Sequence, residues 1–182
     1  MKNMFPIIET ERLILRQVTT EDATDMFAYL SDQDVVEPMG LDPFETVKDV
    51  WDEIGWYTSI YEEGTGIRWG ITLKDSGKVI GSCGFLNRIP KHYRAEVGYE
   101  VSKDYWGQGI ASEALEAVVK YGYHHLQLER IEALIEPANV ASQKLVEKQG
   151  FEKEGLLRHY EFARGKFDDL YMYSIIKTDF QS

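Results

Sequence analysis

The chain has 182 residues, 43% hydrophobic and 13% aromatic, which is enough to fill the core of one domain and short for two. Its formal net charge of -11 repels phosphate backbones, so nucleic acid is not expected as a partner unless a local basic patch opposes that field. A single cysteine, Cys83, excludes an internal disulfide, and no basic-then-apolar leader or membrane-length apolar run is present, so the expectation is one cytoplasmic domain over residues 1–182 with no membrane partner.

RLILRQV, Arg12 to Val18, alternates apolar and polar residues as a half-buried strand does. Thr19 or Thr20, followed by acids, opens a short helix through Phe27 and Leu30. From Pro43 to about Glu63, the residues Phe44, Val47, Val50, Trp51, Ile54, Tyr57 and Tyr61 predict a second, acidic helix. WGITL, VIGSCGFL and AEVGYEV predict strands, the first two joined by a turn at Lys74-Asp75-Ser76-Gly77. A central helix follows from about Gln108 to His125, with Ala111, Ala114, Leu115, Val118 and Gly122 on one face. RIEALI predicts a strand, and Asn139 to Gln149 a helix stopped by Gly150. FEKEGLLRHY and FDDLYMYSII close the chain as strands joined through Arg164-Gly165-Lys166. Strands before, between and after helices predict an α/β fold with a mixed sheet covered by helices.

The stretch DYWGQGIASEAL, Asp104 to Leu115, places glycines between a strand and a helix. A helix N-terminus offers unpartnered N–H groups and partial positive charge, and glycine lets a backbone approach an anion without an intervening Cβ. That order suits a pyrophosphate cradle to which Ser112 could add a hydroxyl; a tight turn packed against the sheet is the alternative. The string lacks the GxxxxGK of a P-loop. It fits the dinucleotide fingerprint GxGxxG poorly, because Ser112 stands where the third glycine belongs, although Glu129 lies at about the distance of a ribose-binding acid.

Trp106-Gly107-Gln108-Gly109-Ile110-Ala111 resembles the Gln/Arg-x-x-Gly-x-Gly/Ala motif of the GNAT superfamily of acetyl-CoA-dependent N-acetyltransferases, with tryptophan in place of the usual first residue. That departure resembles the RimJ/RimL-like branch, the ribosomal-protein alanine N-acetyltransferases and their relatives. TERLILR, AEVGYEV and NVASQKLVEKQGFEKEG resemble the same branch, so the likeness covers nearly the whole chain. It implies the GNAT fold, a mixed, mostly antiparallel central sheet with a splayed strand pair, covered by helices. It also implies that the pantetheine arm of acetyl-CoA lies between AEVGYEV and RIEALI, paired with backbone near Tyr99 to Val101. The pyrophosphate would rest on Gly107, Gln108, Gly109, Ile110, Ala111 and Ser112.

Amide formation from acetyl-CoA needs a neutral amine, a stabilised oxyanion and a proton for the departing thiolate. Glu96 and Glu100 share one strand face by their even spacing. Glu96 aligns with the acid that several relatives use as base; a solvated or paired surface glutamate is the alternative for either residue. A backbone N–H near Val101 would hold the oxyanion. Asn139 reads as a helix cap with Ser142 close behind. The resemblance adds pantetheine binding for Asn139 and, for Ser142, protonation of the thiolate or a hydrogen bond to it.

Cys83 reads as a core residue, and the histidines lack metal-ligand spacing, so no metal is expected. Trp51, Trp56, Tyr57 and Tyr61 read as packing residues, some of which could line an acceptor cleft. Glu37, Asp42, Glu45, Asp49, Asp52, Glu53, Glu62 and Glu63 would favour a cationic amine if they wall the acceptor groove, and otherwise form a solvated helix face. The resulting expectation is an N-acetyltransferase acting on a primary amine, a protein or peptide N-terminus. The rivals are a small-molecule acetyltransferase acting on a polyamine, amino acid or antibiotic, and a CoA-binding module without catalysis. Monomer and homodimer are both left open.

Overall fold

Alternation along the strands sets the layers. Leu13 and Leu15 are buried while Ile14 and Arg16 are not, and Ile131, Ala133 and Ile135 are buried between half-exposed neighbours. The computed structural model describes residues 4–180. Its strands are β1 (Ile8–Glu9), β2 (Leu13–Arg16), β3 (Ile67–Leu73), β4 (Val79–Ile89), β5 (Arg94–Val101), β6 (Arg130–Ile135), β7 (Glu152–Ala163) and β8 (Lys166–Ile176). They form one eight-stranded sheet in the order β1-β2-β3-β4-β5-β6-β8-β7. Every neighbouring pair is antiparallel except β5 and β6.

The parallel pair is short. β5 and β6 are in register only over Arg94↔Arg130, Ala95↔Ile131 and Glu96↔Glu132. Beyond that β5 runs to Val101 paired with β4 alone, and β6 runs to Ile135 paired with β8 alone. The strands therefore splay, and the mostly antiparallel mixed sheet carries the split implied by the resemblance.

Helices cover both faces. On one, Ile110, Ala114, Leu115, Val118 and Val119 of α4 (Ile110–His125) join Trp69, Phe85, Ile131 and Tyr173 in the main core, with Val146 of α5 (Val140–Lys148). On the other, α1 (Ala23–Leu30) and α3 (Val47–Glu63) bury Met26, Tyr29, Leu30, Val50, Ile54 and Tyr57 against Val18 and Val79. Val79 and Ile80 serve opposite cores, as successive residues of a strand must.

Boundaries moved where local chemistry overrides periodicity. The helix expected from Pro43 starts at Val47, because Thr46 and Asp49 form a capping box. The helix expected from Thr19 begins as a 3-10 turn at Thr20–Asp22 before α1. β1 and the four-residue α2 (Gln33–Val36), capped by Asp32, are too short to show a period and were not anticipated.

Candidate active site

The glycine turn is built by distant residues. After Val101 a 3-10 turn at Lys103–Tyr105 leads to Trp106, whose indole Nε1 donates to the Val101 carbonyl at 2.8 Å. This is the residue that departs from the family motif, and it ties the turn to the strand end. Gly107 and Gly109 have φ of +75° and +77°, a region that strains any side-chain-bearing residue, and Gly109 is the N-cap of α4. From the opposite sheet edge, Arg12 donates to the Gln108 carbonyl at 2.8 Å and pairs with Glu113 at 2.9 Å, while Thr10 Oγ1 donates to Glu113 at 2.6 Å. Burial opposes charge on Glu113, but the hydrogen bonds from Thr10 and Arg12 prevail and hold its pKa below the usual range. Thr10 and Arg12 belong to TERLILR, so that segment has a physical role: it clamps the first turn of α4.

A cavity of about 960 Å³ runs from this turn through the gap between β5 and β6. Tyr99, Val101, Gly107, Gly109, Ile110, Ala111, Ser112, Asn139 and Ser142 line it, as do Glu96 and Glu100. Gln108 does not; its backbone carbonyl is held by Arg12. A Cβ at Gly107 would meet no atom within 4 Å, so the turn is open rather than packed against the sheet. Gln149 Nε2 donates to Ser112 Oγ at 2.9 Å, which leaves the Ser112 hydroxyl proton free to donate. Asn139 Oδ1 accepts from the Ser142 N–H at 3.2 Å, the expected cap, leaving the side-chain amide N–H₂ available.

Glu96 and Glu100 do share a face, and β3 separates their circumstances. Arg68, Gly84 and Gly98 form one cross-strand row. With no side chain at Gly98, the Arg68 guanidinium lies over it; a Cβ there would stand 2.9 Å from Nη1. Arg68 Nη2 thereby reaches Glu100 at 2.5 Å, and both residues are buried. Ser82 donates its hydroxyl to the other Glu100 oxygen, accepts from Arg68 Nε at 2.9 Å, and meets the Tyr57 hydroxyl at 3.1 Å. Glu100 is thus a saturated member of a buried ion pair. Glu96 is only half-buried, accepts one hydrogen bond, from Asn87 Nδ2 at 2.9 Å, and faces the cavity. Burial raises its pKa, the Asn87 hydrogen bond pulls it back, and the Glu132 and Glu161 carboxylates push it up again.

The acidic segment divides likewise. Asp49, half-buried, serves the capping box, and Asp52 pairs with Lys48 at 3.2 Å in solvent. Glu37 pairs with Arg164 at 3.3 Å. Glu53 alone of the anticipated acids lines the cavity, beside Trp56 one helical turn on. Burial, then the nearby Glu100 carboxylate, raises its pKa to about 7, with Arg68 opposing. Tyr57 is buried as packing, and Trp51 is exposed away from the cavity lining.

Sequence reasoning missed Arg68, Asn87 and Glu161. Glu161 lines the cavity from β7, its pKa raised by burial and by Asp168. Arg68 sits in a run of apolar strand residues, and a charge inside WGITL's own strand was the available signal. Cys83 is fully buried, and burial pushes its thiol up to about 12, so it is no nucleophile. Among the described residues no helix is long and apolar enough to cross a membrane.

The sequence profile described as "Acetyltransferase (GNAT) domain" matches residues 12–152. YoaA of Bacillus subtilis (strain 168), named as an uncharacterized N-acetyltransferase, is 44% identical over 174 residues, covering 96% of this chain and 98% of its own. The [ribosomal protein uS5]-alanine N-acetyltransferase of Escherichia coli (strain K12) is 27% identical over 181 residues, covering 94% of this chain and 91% of its own. Among solved structures, a GNAT-family acetyltransferase from Bacillus anthracis superposes with a TM-score of 0.84 at 26% identity, covering 95% of this chain and 99% of that one. With the glycine turn, the splayed strands and these likenesses together, the chain belongs to the GNAT family of acetyltransferases.

Proposed function

We propose that the protein transfers acetyl from acetyl-CoA to the primary amine of a cationic acceptor, a protein or peptide N-terminus, in the cytoplasm. The observation that carries the reading is the single cavity joining the open glycine turn on the α4 face to Glu96 and Glu53 on the α3 face. The residues present suit the cosubstrate. The open turn from Gly107 to Ser112, Gln108 apart, lines the cavity and would give its N–H groups to the pyrophosphate, while the unpaired edges of β5 and β6 and the side chain of Asn139 would take the pantetheine arm. Acetyl-CoA supplies an activated acyl group.

Glu96 takes the amine proton as nitrogen bonds the acetyl carbon; burial raises its pKa, which makes it a stronger base than a solvated carboxylate. The carbon–sulfur bond breaks, and the Ser142 hydroxyl hydrogen-bonds or protonates the departing thiolate. Backbone N–H near Val101 meets the carbonyl oxygen as it gains charge. Glu100, spent on Arg68 and Ser82, holds the floor rather than exchanging protons with substrate. Glu53, Glu96 and Glu161 make the acceptor side anionic, which favours a cationic amine.

A protein acceptor is favoured by the apolar rims, where Trp56 and Tyr160, both exposed, stand on α3 and β7 at the cavity lining. The acceptor named for the Escherichia coli relative is of this kind. Thiol release from acetyl-CoA with an amine panel tests the reading. Peptides with free N-termini should turn over, and the same peptides with blocked N-termini should not. Turnover confined to polyamines or free amino acids would replace the peptide acceptor, and CoA binding without turnover of any amine would support the non-catalytic module instead.

A further inference from the structure

Antiparallel strands turn the backbone groups of successive residues to opposite sides. The Ser102 N–H donates to the Ile80 carbonyl on β4 at 2.7 Å, and along the same register Ser82 stands opposite Glu100 and Cys83 opposite Tyr99. Ser102 and Glu100 thus turn their N–H and C=O groups to β4, while Tyr99 and Val101 turn theirs to the other side, towards β6. On that side β6 keeps register only as far as Glu96↔Glu132. Tyr99 and Val101 therefore line the splay with backbone groups that no strand pairs.

One of these groups is already taken. Trp106 Nε1 donates to the Val101 carbonyl at 2.8 Å, and among the described residues no other side chain hydrogen-bonds the backbone of Tyr99 or Val101. The carbonyl points into the splay, so the indole that meets it stands on the side from which a ligand approaches, and Trp106 lines the cavity there. The Tyr105 N–H bonds the Ser102 carbonyl at 2.9 Å and the Trp106 N–H the Lys103 carbonyl at 3.1 Å, which fixes the backbone that carries the indole. A donor held on such a turn needs no ordering at each binding event, whereas a flexible arm loses freedom when it pairs, so the indole keeps the carbonyl.

The edge of β5 repeats donor and acceptor every two residues, and by itself it offers an amide-bearing arm equivalent pairings at Val101 and at Tyr99. An arm whose diphosphate sits at the glycine turn meets Val101 first, at the open end of the splay, and Glu96 lies at the closed end. A buried amide N–H requires an acceptor. With the Val101 carbonyl closed, the first acceptor on this edge is the Tyr99 carbonyl, about 7 Å deeper at two residues of strand rise.

We propose that Trp106 is a positioning residue that sets the register of the coenzyme: by closing the Val101 carbonyl it sends the pantetheine amide to Tyr99, and so carries the thioester one residue pair nearer Glu96. This rests on the acetyl-CoA reading of the cavity and requires no acceptor amine.

Val101-Ser102 is the single Val-Ser pair in the chain, so protein carrying valine labelled with ¹³C at the carbonyl and serine labelled with ¹⁵N gives one magnetic-resonance signal for the Val101 carbonyl. A carbonyl carbon moves downfield when its oxygen accepts a hydrogen bond. In the parent, CoA should leave both this signal and the Trp106 indole N–H signal in place. Trp106→Phe keeps a ring without the donor; its Val101 signal should lie upfield in the free protein and return to the parental position when CoA binds, as the arm takes the opened carbonyl. Displacement of the parental indole signal by CoA would overturn the proposal even where the variant does not fold, and so would a Val101 signal in Trp106→Phe that CoA does not move. Calorimetry with the phosphoadenosine diphosphate fragment of CoA should give equal affinity in both proteins; a Trp106→Phe effect confined to that fragment would overturn the proposal, since it marks a turn-holding role. With an active acceptor, kcat of Trp106→Phe should fall by about 10²-fold with KM for acetyl-CoA unchanged, as expected for misplaced reactants; a deficit carried by KM alone would also overturn it. Absence of CoA binding by the parent would sink the cosubstrate reading together with the proposal, whereas CoA binding without turnover of any amine would sink the transfer reading alone, because the two signals decide the role of Trp106.

Discussion

Glu53→Gln separates a residue kept for ligand from one kept for stability. The ordinary glutamate value is 4.5, and in the folded protein burial and Glu100 raise that of Glu53 to about 7. Below about pH 4.5 both folded and unfolded chains hold the proton, and the residue adds nothing unfavourable. As pH rises the unfolded chain ionises first, and above about pH 7 the folded chain must carry a poorly solvated, unpaired carboxylate. The stability present at low pH is therefore lost as pH rises through about 7. At 1.36 kcal/mol per pKa unit, the difference between 4.5 and about 7 is about 3 kcal/mol. Glutamine keeps the shape and omits the charge, so Glu53→Gln should be more stable than the parent by up to about 3 kcal/mol near pH 8, with the gap closing as pH approaches 4.5. Urea denaturation of both proteins across that range, comparing midpoints at constant slope, measures it. A gap that does not change with pH, or a variant less stable throughout, would refute the reasoning. In kinetics the same substitution should raise KM for a cationic acceptor and leave acetyl-CoA binding intact.

Glu96→Gln should keep acetyl-CoA binding and lower turnover by roughly 10²–10⁴-fold, with partial recovery as pH approaches the amine's own pKa; a near-parental rate profile would place the base elsewhere. Gly109→Val puts a branched side chain at φ +77° where phosphate is expected to approach, so CoA affinity should collapse in a folded protein, and unchanged calorimetric binding would remove the cradle assignment. Glu100→Gln leaves the buried Arg68 charge without its anion and should destabilise the fold by about 3–5 kcal/mol, read from thermal or chemical denaturation; parental stability would show that the pair is not structural.

Much of this was legible in the residues, wherever the physics is local. Gly107 and Gly109 announced a turn at a helix mouth, and the structure puts both there, with positive φ. Asn139 reads as a cap from its side chain and its place before an apolar-periodic segment, and it caps. The period of two put Glu96 and Glu100 on one face before any partner strand was known. Tertiary structure decided which of that pair is free, because only the row Arg68, Gly84, Gly98 brings a guanidinium to Glu100 and leaves Glu96 at the cavity. Helical phase decided in the same way that Glu53 faces the cavity while its neighbour Asp52 faces solvent. The clamp of Thr10 and Arg12 on Glu113 spans some hundred residues. Backbone angles, caps and alternation follow from the covalent chemistry of adjacent residues, so sequence alone determined them. Pairing, burial and shifted acidity follow from which elements become neighbours, and that was settled only when the sheet order closed.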